Sequence, residues 1–291
     1  TMLTMLAPDA GRFSQPCVLL LGRFDGIHLG HKTLLDAAKR YDLPVVFTLI
    51  AGGKAGGELF TLRERCTVLE QLGAAGAFAF PFTEAFQNTS AENFLRDLFA
   101  RCMPRAILCG EDFRFGEGAK GDAALLRKLA PCPVDVLPLL TADGHKISST
   151  SLKKLLAAGN MPALNALLAY PYFIEGDVEH GRHVGSGLGF PTVNLDLPAE
   201  KAPPKEGVYG GYAQTKFGKF PCILNYGARP TFGVAEKKTE AFLLDFEGDL
   251  YGSTVRIYPT QYYRPVTAFP SAEALKAQIA QDAARAKRSN V

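Results

Sequence analysis

Cys17-Val-Leu-Leu-Leu-Gly-Arg-Phe-Asp-Gly-Ile-His-Leu-Gly-His31 decides how the first half of the chain is read. Its first five residues form an apolar run of strand length, and Gly22, Gly26 and Gly30 then break the run into a turn. A helical pattern follows from His31 to Arg40. A strand that feeds a glycine-rich turn and then a helix brings backbone N–H groups and the positive end of the helix to one place, where a phosphate can be held. His28 and His31 are three residues apart, so on a helical turn both can face one ligand and donate hydrogen bonds to phosphoryl oxygens. Further ligands at zinc spacing are missing, and so is a Walker-type phosphate loop.

The same alternation continues on either side. Pro44–Leu49, Ala77–Phe80, Ala106–Cys109 and Val134–Leu137 read as strands, separated by helical patterns at Leu62–Leu72, Ala91–Arg101 and Asp122–Leu129. Strands separated by helices predict parallel pairing and a doubly wound α/β sheet. Helical stretches at Thr150–Ala157 and Met161–Ala169 lead into a second half of different character. There, Tyr172–Val178, Val208–Ala213, Phe220–Leu224, Ala241–Phe246 and Val255–Tyr258 are short strands between Gly, Pro and Asn turns, which predicts an antiparallel barrel or sandwich. Ser271–Lys287 reads as a closing helix.

Composition sets the outer limits. The chain has 291 residues, enough for two domains, with 47% hydrophobic and 21% charged residues, an ordinary globular balance. A net charge of +3 gives no reason to expect a nucleic-acid or membrane partner. Six scattered cysteines without a C-x-x-C pair fit reduced thiols and a cytoplasmic location. Neither a signal peptide nor a membrane-spanning run is expected. The sequence leaves the oligomeric state open.

The second half has its own chemical stretch, Gly185-Ser-Gly-Leu-Gly-Phe-Pro-Thr-Val-Asn194. A loop with glycines at 185, 187 and 189 can wrap a triphosphate, and Pro191 stiffens the turn that follows. The Thr192 hydroxyl and the Asn194 carbonyl are hard oxygen ligands suited to Mg²⁺. Downstream come Gly207-Val-Tyr209, Asn225-Tyr-Gly-Ala-Arg-Pro-Thr-Phe-Gly233 and the acidic stretch from Glu240 to Gly252.

The His28-Leu-Gly-His31 turn resembles the hallmark of the nucleotidyltransferase superfamily. With Gly110-Glu-Asp-Phe-Arg-Phe-Gly116 and Ile147-Ser-Ser-Thr150 it is similar to the FMN adenylyltransferase module of bacterial bifunctional riboflavin kinase/FAD synthetases. The four stretches between Gly185 and Gly252 resemble the riboflavin kinase module of the same family, in the same order. This resemblance implies a Rossmann-like nucleotidyltransferase domain over 1–169 and a kinase β-barrel with a C-terminal helix over 170–291. It also implies that Gly22, Phe24, Asp25, Gly26 and Gly30 surround the nucleotide, with Asp112 and Phe115 near the substrates and Ser148 and Thr150 near phosphates. In the kinase half it implies Thr192 and Asn194 on Mg²⁺–ATP, Asn225 and Arg229 at the substrates, and Glu240 as general base for the ribityl 5′-hydroxyl. The implied reactions are riboflavin plus ATP to FMN, then FMN plus ATP to FAD and pyrophosphate.

Three positions depart from the family pattern. Ile50-Ala-Gly-Gly-Lys-Ala-Gly-Gly57 stands where the family carries Asp-Pro-His-Pro, Lys153 stands where it carries arginine, and the Arg-Pro-Glu ending is Arg264-Pro265-Val266 here. Lysine keeps the charge of arginine but loses its planar fork. The first two departures leave a second reading open, a riboflavin kinase whose N-terminal domain has become a binding or regulatory module, and the third bears on the far edge of the flavin site.

Overall fold

Cys17–Leu21 is buried on both faces, as a continuous apolar run requires, and forms the end of an inner strand of a parallel sheet. The computed structural model describes residues 4–6, 11–53, 55–178, 192–229 and 234–289. In chain order the first half contains β1 (Thr4–Leu6), β2 (Phe13–Leu21), α1 (Leu29–Lys39), β3 (Val45–Ala51), α2 (Leu62–Gln71), β4 (Gly76–Pro81), α3 (Glu84–Gln87) and α4 (Ala91–Phe99). It continues with β5 (Cys102–Gly110), α5 (Ala123–Leu129), β6 (Val134–Leu137), the short ribbon β7 (Thr141–Ala142) and β8 (His145–Lys146), and α6 (Ser149–Ala158). After α7 (Met161–Leu167) come β9 (Ile174–Asp177), β10 (Thr192–Leu195), β11 (Gly207–Thr215), β12 (Gly218–Arg229), β13 (Val234–Leu243), β14 (Thr254–Arg264) and α8 (Ala272–Ser289).

The chain divides into two compact units. The first comprises Thr1–Leu152, Leu167–Tyr170 and Glu200–Ala202; the second comprises Lys153–Ala166, Pro171–Ala199 and Pro203–Val291. In the first, the strand order is β1-β4-β3-β2-β5-β6 and every pairing is parallel. The chain therefore winds outward on one side of β2 through β3 and β4, then returns to wind outward on the other through β5 and β6. That reversal leaves a crevice beyond the C-terminal end of β2, which is where open α/β sheets bind ligands. The edge strand β1 has no counterpart in the sequence reading.

Behind this crevice lies a charged network with almost no solvent access. Arg65, on α2, donates to the carbonyls of Arg23 at 3.1 Å and Ile50 at 2.9 Å, and to Glu58 Oε2 at 2.9 Å. Lys201 Nζ lies 2.5 Å from Glu64 Oε2 and also donates to the Leu59 carbonyl, and both charged side chains are buried. Buried ion pairs add little net stability, but removing one partner strands the other without water. Arg65→Met is therefore expected to cost about 3–5 kcal/mol, seen as a fall in the urea midpoint of the full chain. An unchanged midpoint would mean that Glu58 finds another cation.

The second unit holds a six-stranded sheet in the order β10-β13-β12-β11-β14-β9, antiparallel throughout. Its two end strands meet: a Cβ on Gly176 of β9 would lie 3.2 Å from Leu195 Cδ2 of β10. The sheet is thus a nearly closed barrel, helped by register shifts in β11 that bend the strand. Ile279, Ala283 and Ala286 of α8 pack on Val208, Ile223 and Phe242 of the barrel. The sequence reads Phe190-Pro-Thr-Val-Asn194 as a rigid turn, but Thr192–Leu195 is a strand, because it gains a ladder with β13 that no local pattern reveals.

Candidate active sites

At the C-terminal end of β2 the chain turns through two non-glycine residues of positive φ, Phe24 at 52° and Ile27 at 38°. Both side chains are buried, and such backbone is held only when its surroundings over-determine it. Asp25 is one brace, its Oδ1 accepting from Leu59 N at 2.7 Å. The turn delivers His28 and His31 to the start of α1 with their rings stacked 3.8 Å apart at 18°. His31 Nδ1 accepts from the backbone N–H of His28 at 3.3 Å, so the neutral ring carries its proton on Nε2, as a donor toward a ligand. A Cβ at Gly30 would stand 3.1 Å from the His28 ring, so any other residue would press that ring aside by a few tenths of an ångström.

The turn opens on a cavity of about 820 Å³ lined by the end of β3 and by the loops that leave β2, β4, β5 and β6. Of the residues singled out from the sequence, Gly22, Phe24, His28, Gly30, His31, Asp112, Phe115, Ser148 and Thr150 line it together. Asp25, Gly26 and Lys153 do not. Asp25 braces the turn from inside, Gly26 packs against Leu152 and Leu59, and Lys153 falls in the second unit. Ser148 Oγ accepts from Ser151 N at 3.2 Å, which caps α6 and leaves that helix N-terminus on the cavity wall. Two helix N-termini, those of α1 and α6, thus face one space and favour anions within it.

Four aromatic residues, Phe82, Phe86, Phe113 and Phe115, form another wall, with Phe113 and Phe115 stacked at 5.3 Å. Lys146 lines the cavity too and pairs with Asp112 at 2.5 Å. The sequence reading did not single out Arg23, Phe82 or Lys146. Arg23 was visible inside the glycine-rich turn, but nothing local distinguishes a ligand-facing cation from a solvated one.

In the second unit the sheet register assembles residues that are far apart in sequence. Asn194 of β10 stands opposite Glu240 of β13, and Glu240 stands opposite Asn225 of β12. Residues in register across neighbouring strands share a face, so the three side chains form one row. Thr192 lies two residues before Asn194 and shares that face. Glu240 is only 8% exposed, and Asn225 Oδ1 is buried without a hydrogen-bond partner among the described residues, an acceptor suited to a ligand donor. Gly185, Gly187, Gly189 and Pro191 lie outside the described residues, as does the side chain of Arg229.

Comparisons with known proteins match both halves. A family model described as FAD synthetase matches residues 11–151, and one described as riboflavin kinase matches residues 168–290. The bifunctional riboflavin kinase/FMN adenylyltransferase of Escherichia coli K12 is 35% identical, over 95% of this chain and 92% of its own length. Those of Haemophilus influenzae and Bacillus subtilis are 32% and 30% identical, each over more than nine-tenths of both chains. Among solved structures, a Streptococcus pneumoniae protein described as a macrolide-efflux protein superposes with a TM-score of 0.83 at 28% identity, covering 98% of this chain and 99% of its own. No helix among the described residues is long and apolar enough to cross a membrane.

Proposed function

The chain belongs to the family of bifunctional riboflavin kinases/FMN adenylyltransferases, and from that premise we propose that its two units divide the two reactions. The enzyme phosphorylates riboflavin with ATP to give FMN and adenylylates FMN with a second ATP to give FAD and pyrophosphate. Phosphorylation is assigned to the barrel over 170–291 and adenylylation to the parallel sheet over 1–169. A match of both halves to bifunctional relatives favours this over a kinase with a retired N-terminal domain.

In the barrel, the Glu240 carboxylate takes the proton of the ribityl 5′-hydroxyl as that oxygen attacks the γ-phosphorus of ATP and ADP leaves. Asn225 Oδ1 accepts from the substrate, and the Gly185–Gly189 loop and Arg229 hold phosphates. Among the described residues no cluster of three or more His, Cys, Asp or Glu converges as a protein cage for a metal would require. The Thr192 hydroxyl and Asn194 carbonyl, in line with Glu240, instead fit Mg²⁺ held by a few protein oxygens together with substrate phosphates. Bound there, Mg²⁺ would neutralise charge on the transferring phosphoryl group.

In the sheet unit, an FMN phosphate oxygen bonds to the α-phosphorus of ATP, the α–β bridge breaks, and pyrophosphate leaves. His28 and His31 donate to the α-phosphate oxygens as charge builds there, while the α6 N-terminus at Ser148 and Thr150 holds the β- and γ-phosphates. The aromatic wall offers the isoalloxazine ring a surface to stack on. None of the six cysteines, all among the described residues, forms a disulfide, which suits a reducing cytoplasm.

The observation that carries the assignment is the row Asn194–Glu240–Asn225 in one unit and the stacked His28–His31 pair at a switch-point cavity in the other. Purified chain incubated with riboflavin, excess ATP and Mg²⁺ is expected to give FMN first and FAD after it, separated by chromatography over time. FMN accumulating without FAD would remove the adenylylation half.

A further inference from the structure

Adenylylation brings two anions together, the FMN phosphate and the triphosphate of ATP, and their repulsion has to be offset by cations or oriented dipoles on both sides of the reacting phosphorus. The segments leaving β6, with the capped N-terminus of α6, supply one pole. They follow the β5–β6 side of the sheet. His28 and His31 follow β2, at the switch point. A second pole therefore has to come from the β3–β4 side.

Three long cationic side chains line the cavity among the described residues: Arg23, Arg114 and Lys146. Lys146 is paired with Asp112, and Arg114 is exposed and donates to the carbonyl of its neighbour Phe113 at 2.8 Å. Arg23 is half-buried and forms no ion pair among the described residues. Its Nη2 donates to the Gly52 carbonyl, and its Nε is buried without a hydrogen-bond partner among the described residues. The guanidinium carbon stands 5.2 Å from the centre of the Phe82 ring, just beyond the end of β4. Its own backbone is fixed from behind, since the buried Arg65 holds the Arg23 carbonyl.

The loop that Arg23 reaches is the one that replaces Asp-Pro-His-Pro. Gly52 is held at both ends: its N–H donates to Glu58 Oε1 at 2.8 Å and its carbonyl accepts from Arg23. Gly53, at a φ of 71°, lies so close under Phe82 that any Cβ would overlap the ring. This part of the loop carries no imidazole and is instead a fixed backbone platform for a guanidinium. Burial pulls the Arg23 guanidinium below its ordinary pKa, while Glu58 and Asp25 act the other way. A desolvated, incompletely hydrogen-bonded guanidinium gains most from a phosphate, whose oxygens match its fork.

We infer that Arg23 is the residue that binds the phosphate of FMN in the adenylyltransferase site, on the β3–β4 side of the histidine pair and opposite the triphosphate. This inference rests on the assignment of adenylylation to the first unit.

The test uses the full chain and reads FAD formation with FMN varied at saturating ATP, then with ATP varied at saturating FMN. Arg23→Met is expected to raise KM for FMN roughly 10- to 100-fold, the size of a lost charge-assisted contact, with KM for ATP little changed. Arg23→Lys keeps the charge without the fork and should fall between the two. Riboflavin kinase turnover in the same preparations distinguishes a specific loss from an unfolded chain, and if Arg23→Met makes no FAD, the lysine variant carries the comparison. An unchanged KM for FMN in either variant overturns the inference, and so does a parallel rise in KM for ATP, which would move Arg23 to the triphosphate. Wild-type chain that makes FMN but no FAD would overturn the adenylylation assignment itself, and the inference with it.

Discussion

Glu240→Gln is expected to lower riboflavin phosphorylation about 10²- to 10⁴-fold, the range for removing a general base, and to leave the chain folded. Glutamine keeps the size and hydrogen-bonding reach of glutamate and loses only the ability to take a proton. The position tolerates the change because Glu240 sits in a paired strand with backbone ladders on both sides, to β10 and to β12. The loss should fall on kcat, with KM for riboflavin little affected, because proton transfer matters only as the hydroxyl attacks. FAD formation from added FMN should continue, since that reaction is assigned to the other unit. A variant with wild-type kcat would place the base elsewhere. A rise in KM alone would make Glu240 a binding residue for the ribityl chain rather than its base.

The first unit was legible in the sequence because its information is local. Cys17–Leu21, the glycines of the turn and the helix after His31 lie within one short stretch, and the physics of each step concerns neighbours: burial, φ freedom, helix capping. The α2 cap shows the same, with Thr61 and Glu64 exchanging hydrogen bonds at 3.2 and 2.9 Å where the sequence has Thr-x-x-Glu. What the sequence concealed depends on distant partners. Lys201 belongs by sequence to the second half, yet it is buried in the first unit against Glu64, 137 residues earlier, and no period or spacing announces such a pair. Thr192–Leu195 carries proline before it and looks like a turn until the β13 ladder supplies its partners. The row Asn194–Glu240–Asn225 exists only once three strands are in register, so residue types alone suggested its members but could not bring them together. Asp25 and Gly26 lie within the glycine-rich turn but do not line the cavity: Asp25 accepts from the Leu59 N–H, and Gly26 sits against Leu152 and Leu59, partners that no local pattern reveals.

Changing both His28 and His31 to alanine is expected to remove FAD synthesis while riboflavin phosphorylation continues at the wild-type rate. Each lost donor to a developing anion costs about 10²- to 10³-fold, and the pair acts as a unit, so the double change should approach the full effect of both without summing beyond it. The geometry explains the mutual dependence. The stacked rings fix each other at 3.8 Å, and the His28 backbone N–H holds His31 Nδ1, which leaves Nε2 as the donor. Removing one ring therefore also loosens the other, and His31→Ala alone should already take most of the activity. The loss should appear in kcat, with KM for ATP changed far less, because the donors meet their strongest acceptor only when the α-phosphate is crowded by both the incoming and the leaving oxygen. A fall in ATP affinity without a fall in kcat would make the two histidines a ground-state clamp. Unchanged FAD output would detach the reaction from the switch-point cavity altogether, since no other element brings two imidazoles and two helix N-termini to one place among the described residues.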